Sequence, residues 1–198
     1  MLNWTDNVPE GTRDLFFNIL QNAFGNLSEP SFLEVGTYTG TSVAYVKSTF
    51  PNTKCVAIDN WGLDHLELNS CAKYNGGIPI ERSEIKQAFL RNNGESVELI
   101  EADSAVALSK LVNEGRKFDF IYVDGSHIAS DVLMDLTLSW LLLNDGGTLA
   151  IDDYEYTYPE NPMCRVKAAT DYFMEKFSGQ YEIVSKHYRM FLKKTLLE

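Results

Sequence analysis

The sequence predicts an α/β fold: a doubly wound sheet, mostly parallel, with a C-terminal antiparallel hairpin and helices on both faces. Three observations predict it. Short apolar runs alternate with helix-length segments from Ser31 to Ser178. The run Phe118-Asp-Phe-Ile-Tyr-Val123 is nearly all apolar, as a strand covered on both faces must be. The last two strand-like runs, within residues 181–193, are joined only around Lys186-His187, too short a link for a crossover, so they must be antiparallel.

The elements follow in order. Residues 12–24 place Leu15, Phe16, Ile19, Leu20, Ala23 and Phe24 on one helical face, closed by Gly25. Strands are predicted at Ser31–Val35, Lys54–Ile58, Val97–Ile100, Phe118–Val123 and Thr148–Ile151. Helices are predicted between them, at Thr41–Thr49, 82–92, 104–114 and 128–143, and again at 163–178. Their stops are Pro51, Asn93-Gly94, Gly115, Asn144-Asp-Gly-Gly147 and Gly179. Residues 62–80 have no clear period and read as an inserted loop. The whole is one domain, residues 1–198, with 1–29 as an N-terminal helical arm. The aromatic face of that arm is expected to pack on the sheet or cap the mouth of a site; a second subunit, making a homo-oligomer, is the alternative cover.

Composition narrows the function. The chain has 198 residues, 44% hydrophobic, with 28 acids against 17 Lys and Arg and a net charge of −11. Nucleic-acid backbones and anionic membranes call for clustered cations, and no cluster occurs, so neither is an expected partner. Three cysteines, Cys55, Cys71 and Cys164, without Cys-x-x-Cys spacing suit neither a disulfide framework nor a zinc site. No basic-then-apolar leader opens the sequence, and a reducing cytoplasm is the expected compartment.

In such sheets ligands bind beyond the carboxyl ends of the strands, so the residues there matter most. After the first strand comes Glu34-Val-Gly36-Thr-Tyr-Thr-Gly40, a tight glycine turn into a helix, with a carboxylate that suits hydroxyls or a cation better than a phosphate. After the second comes Asp59-Asn60-Trp61; an acid here can accept ribose hydroxyls. Asp103 and Ser104 follow the third, where helix capping and adenine contact are both open. Asp124-Gly-Ser-His127 follows the fourth and Asp152-Asp153-Tyr154 the fifth. Three neighbouring carboxylates need a proton or a cation, and a hard divalent ion such as Mg²⁺ is one solution. His127 stands where it can serve as general base. Residues 154–162, rich in Tyr and Pro, form either an acceptor wall or a plain surface connector.

Together these segments resemble a class I S-adenosylmethionine-dependent methyltransferase, over roughly residues 30–155. The pairing of Val-Asp-Gly-Ser-His127 with Leu-Asn-Asp-Gly-Gly-Thr-Leu-Ala-Ile-Asp-Asp-Tyr154 resembles the macrocin-type O-methyltransferase group, and more distantly the catechol O-methyltransferases. The resemblance implies a Rossmann-like fold and methylation of a hydroxyl on a small molecule or sugar. It also implies site roles. Glu34, Gly36 and Gly40 would meet the methionine end of the cofactor, Asp59 the ribose, and Trp61, Asp103 and Ser104 the adenine. Asp124 would touch the cofactor and the reacting groups. Asp124, Asp152 and Asp153 would hold magnesium, and His127 would take the proton. Two alternatives remain: a NAD- or nucleotide-sugar-dependent enzyme, disfavoured by the missing Gly-x-Gly-x-x-Gly, and a methyltransferase fold without activity.

Overall fold

The computed structural model describes residues 12–62, 82–157 and 162–195. The expected inserted loop lies, beyond residue 62, outside the described residues, as does part of the Tyr- and Pro-rich segment. The strands are β1 (Ser31–Val35), β2 (Lys54–Asp59), β3 (Glu98–Glu101), β4 (Phe118–Val123), β5 (Leu143–Ile151), β6 (Tyr181–Lys186) and β7 (Met190–Lys194). They form one sheet in the order 3-2-1-4-5-7-6. All neighbours are parallel except at β7, which runs against both β5 and β6. The helices are α1 (Thr12–Phe24), α2 (Thr41–Thr49), α3 (Arg82–Asn93), α4 (Ser104–Asn113), α5 (Ala129–Leu142) and α6 (Val166–Lys176).

Alternation along the strands builds two cores, one on each face of the sheet. On one face Leu33, Val35, Ile121 and Val123 meet Leu108 of α4, Leu136 of α5 and Phe173 of α6. On the other Phe32, Phe120 and Tyr122 meet Phe16 of α1, Val46 of α2 and Phe89 of α3. Helix α1 therefore packs on the sheet, as its apolar face predicts. Phe16 sits 5.5 to 6.1 Å from the rings of Phe120, Tyr122 and Phe191. Full burial of such a ring contributes about 2–3 kcal/mol. Cys55 is a small core residue, and burial pushes its thiol pKa up to about 12.

Boundaries shift by one to three residues elsewhere, and at β5 by five. Helix α5 ends at Leu142, and β5 begins at once with Leu143, which pairs with Phe118. The Asn144–Gly147 run is a kink inside a long strand, not a turn before a short one. Gly146, at φ +77°, takes up the slack where the β4–β5 register shifts. Among the described residues no helix is long and apolar enough to cross a membrane.

The strand order reverses between β1 and β4, which opens the crevice. Its floor is stitched just past the strand ends: the Asp124 N–H donates to Val35 O (2.8 Å), and the Asp152 N–H donates to Val123 O (3.0 Å).

Candidate active site at the strand ends

The glycine turn after β1 is held from below and behind. Gly36 has φ +83°, and a Cβ there would lie 2.2 Å from Asp124 O and 2.4 Å from Gly125 Cα. Only glycine lets the ends of β1 and β4 approach this closely. Glu34, 1% exposed, accepts hydrogen bonds from Thr37 Oγ1 (2.6 Å) and from Ser42 Oγ. Burial pushes its pKa up to about 7 against the opposing effect of those two hydroxyls. From helix α3, Asn92 Nδ2 donates to Thr39 O (2.8 Å) and Asn93 Nδ2 to Gly40 O (3.0 Å).

Asp59 ties this turn to the end of β2. Its carboxylate accepts from the N–H of Tyr38 (2.6 Å) and of Trp61 (2.7 Å). Both donors have positive φ, 50° and 49°, a conformation that side chains adopt only when their surroundings impose it. The expectation for Trp61 changes here. Its indole, 3% exposed, packs against Phe89 and donates from Nε1 to Tyr38 O (3.0 Å), so it braces the turn instead of offering an open face. Asp103 caps α4, accepting from the Ala105 N–H (3.0 Å), and its side chain is exposed at the crevice edge beside Ser104.

Beyond β4 and β5, Asp124, His127 and Asp153 present ligand atoms all within 4.8 Å of one another. His127 Nε2 lies 3.1 Å from Asp153 Oδ2. Burial pushes the Asp124 pKa well up, and the charges of Asp152 and Asp153 add to the effect. Asp153 has φ +53°, held by its N–H donating to Asp152 Oδ1 (2.8 Å). The backbone of His127 is pinned as well, since its carbonyl accepts from the Arg165 N–H (3.1 Å).

Asp152, expected as a third metal ligand, stands outside this group. It is 8% exposed, accepts from the Tyr122 hydroxyl, and pairs with Arg189 Nε (2.9 Å). The preceding residue of the hairpin also reaches in: the Tyr188 hydroxyl donates to Asp153 Oδ1. Tyr122, Tyr188 and Arg189 escaped the sequence reading. The one signal for Arg189 was an arginine opening an otherwise apolar strand, Arg-Met-Phe-Leu.

Asp135 of α5 was also missed. It is 1% exposed, and among the described residues its carboxyl group has only the nearby Ser104 hydroxyl, without a hydrogen bond of normal geometry. It lies under the crevice, 3.5 Å from where a Gly125 Cβ would stand. Burial pushes its pKa up to about 7; the Ser104 hydroxyl opposes this, and the charges of Asp131 and Asp103 reinforce it. The folded state thus holds a proton that the unfolded chain releases at lower pH. Stability contributed below pH 4 is lost as pH rises to 7, by about 2–4 kcal/mol. Asp135→Asn is expected to stabilise the protein more at pH 8 than at pH 5, measured by urea unfolding. An equal change at both values would refute the proton's role.

The profile of a family described as a methyltransferase domain matches residues 33–154, more than half of the chain. The chain belongs to this methyltransferase family. An uncharacterized protein, R132 of Acanthamoeba polyphaga mimivirus, is 24% identical to this methyltransferase over 186 residues, covering 90% of this chain and 78% of that one. Among solved structures, the MycE methyltransferase of the mycinamycin biosynthetic pathway, in complex with Mg and SAH, superposes at TM-score 0.62 with 18% identity. The match covers 91% of this chain and 49% of MycE, so this chain spans about half the length of that protein. The O-methyltransferase NovP superposes at 0.64 with 14% identity, covering 92% of this chain and 79% of its own. These likenesses establish a Rossmann-like methyltransferase fold.

Proposed function

We propose that this methyltransferase moves the methyl group of S-adenosylmethionine to a hydroxyl of a small-molecule or sugar acceptor. The observation that carries the reading is the meeting of Asp124, His127 and Asp153 beside the glycine turn at the reversal point of the sheet. The likeness to the O-methyltransferase NovP supports the choice of oxygen.

The residues divide the work. Gly36 and Gly40 allow the cofactor's methionine end to lie against backbone, and Glu34 keeps that turn in shape. Asp59 stands at the end of β2, where it already orders the N–H groups of Tyr38 and Trp61, and its carboxylate is the acceptor proposed for the ribose hydroxyls. Asp103 and Ser104 frame the adenine end. On the acceptor side, Asp153 orients the His127 imidazole, which takes the hydroxyl proton. The oxygen would then attack the methyl carbon in line with the C–S bond. The methyl group passes from sulfur to oxygen, the C–S electron pair stays on sulfur, and neutral S-adenosylhomocysteine leaves. Alignment of donor and acceptor is the larger part of such catalysis.

Magnesium on Asp124, Asp152 and Asp153 does not fit this arrangement. Asp152 is committed to Arg189, Tyr122 and the Asp153 amide. The carboxylate of Asp153 is engaged as well, by the Tyr188 hydroxyl and His127, so the three acids do not form a shared open cage. No step of the transfer is therefore assigned to an ion.

The test is calorimetric titration with S-adenosylhomocysteine, expected to give a Kd in the range of about 1–100 μM. Absence of binding at about 1 mM refutes the reading. NAD binding in its place would favour the oxidoreductase alternative.

A further inference from the structure

We infer that Arg189 is the resident counter-cation of the acidic strand ends, and that it makes this site independent of a divalent ion. The inference rests on the methyltransferase reading for what the site does, but its evidence is separate. Three acids at neighbouring strand ends have to be neutralised somehow. In this chain the hairpin between β6 and β7 supplies one cation, held on Asp152. Arg189 Nε lies 2.9 Å from Asp152 Oδ1, with the two side chains 7% and 8% exposed. The other oxygen of Asp152 accepts from Tyr122, itself fully buried. Both oxygens are thus spoken for by groups that cannot easily withdraw.

The guanidinium packs against two aromatic rings: its carbon lies 6.0 Å from the Phe16 ring of α1 and 5.8 Å from the Tyr122 ring of β4. A guanidinium does not shed its proton in a protein, which makes this a permanent charge. Burial opposes that charge, while Asp152 and Asp124 both favour it. A divalent ion placed between Asp124 and Asp153 would meet a fixed cation behind Asp152, and would gain no ligand there. It would also have to displace Tyr188 from Asp153 Oδ1 or His127 from Oδ2. Buried pairs of this kind punish loss of one partner severely, because the other charge is left uncompensated. Arg189 is therefore a positioning residue: it holds Asp152, whose Oδ1 in turn holds the amide of Asp153 in its left-handed conformation.

The experiment uses the intact protein and titrates it with Mg²⁺ and Mn²⁺ by calorimetry, with and without S-adenosylhomocysteine. The expected result is no ion binding tighter than about 1 mM and cofactor affinity changed less than about twofold by EDTA. Ion binding with a Kd below about 0.1 mM overturns the inference. Failure of S-adenosylhomocysteine to bind would instead strike the proposed function, and the ion titration would still judge Arg189. Arg189→Met removes the charge and frees Asp152. At a hundredfold excess over Kd, Mn²⁺ is expected to raise the melting temperature of that variant by about 5 °C or more, while the wild type and Arg189→Lys do not respond. An Arg189→Met protein that folds and ignores Mn²⁺ overturns the inference. If it does not fold, the wild-type titration decides.

Discussion

His127→Ala is expected to slow methyl transfer by about 10²–10⁴-fold, the range that a positioned general base supplies. Affinity for S-adenosylhomocysteine should stay within about twofold, because the imidazole acts on the acceptor and not on the cofactor. The geometry motivates the split. His127 Nε2 sits 3.1 Å from Asp153 Oδ2, and its backbone is clamped by Arg165. The side chain is about one-fifth exposed, open enough to reach an incoming hydroxyl. Formation of S-adenosylhomocysteine against a panel of sugar and phenolic hydroxyls reads the rate, and calorimetry reads the affinity. An unchanged rate on an accepted substrate would remove His127 as the base.

Gly36→Ala should cost about 3–5 kcal/mol of stability and weaken cofactor binding by more than tenfold. Two effects add. A non-glycine residue at φ +83° costs about 1–3 kcal/mol. The new methyl would also overlap backbone atoms of Asp124 and Gly125 at 2.2–2.5 Å, and overpacking against atoms that cannot rotate away costs about as much again. The strands would have to part at the crevice itself, so the folded fraction should bind poorly too. Urea unfolding and calorimetry measure the two losses. A variant within about 1 kcal/mol of wild type would show that β1 and β4 can separate cheaply here.

The strands and the placement of Glu34, Gly36, Asp59, Asp124 and His127 were legible because their signals are local. Apolar alternation locates a strand, and glycines and acids after it mark its end. The sequence grouped Asp124, Asp152 and Asp153 with His127 beside them; the structure brings Asp124, His127 and Asp153 together and leaves Asp152 with Arg189. What was not legible depends on contacts far along the chain. Arg189 reaches Asp152 across 37 residues, and nothing in its neighbourhood says that its head is buried. Trp61 stands near the ribose acid in sequence, but its environment is set by Phe89, 28 positions away on α3. Asp135 obeys the helical period of α5 like an apolar residue, so the pattern predicts its burial but not its proton. The β5 start was misplaced because two adjacent glycines signal a turn equally well as a kink.

The position of β7 has a kinetic consequence. It lies between β5 and β6 although it follows both in the chain, so the edge of β5 gains its partner only after residue 190 has been made. Until then a long strand with an apolar end, Leu149–Ile151, offers its unpaired amides and carbonyls to any passing chain, while Asp152 awaits Arg189. At synthesis rates of about 5–20 residues per second, this interval lasts seconds, ample time for collapse and mispairing. Conditions that slow docking of the hairpin should therefore drive the nascent protein toward aggregation more than toward any soluble, half-built enzyme.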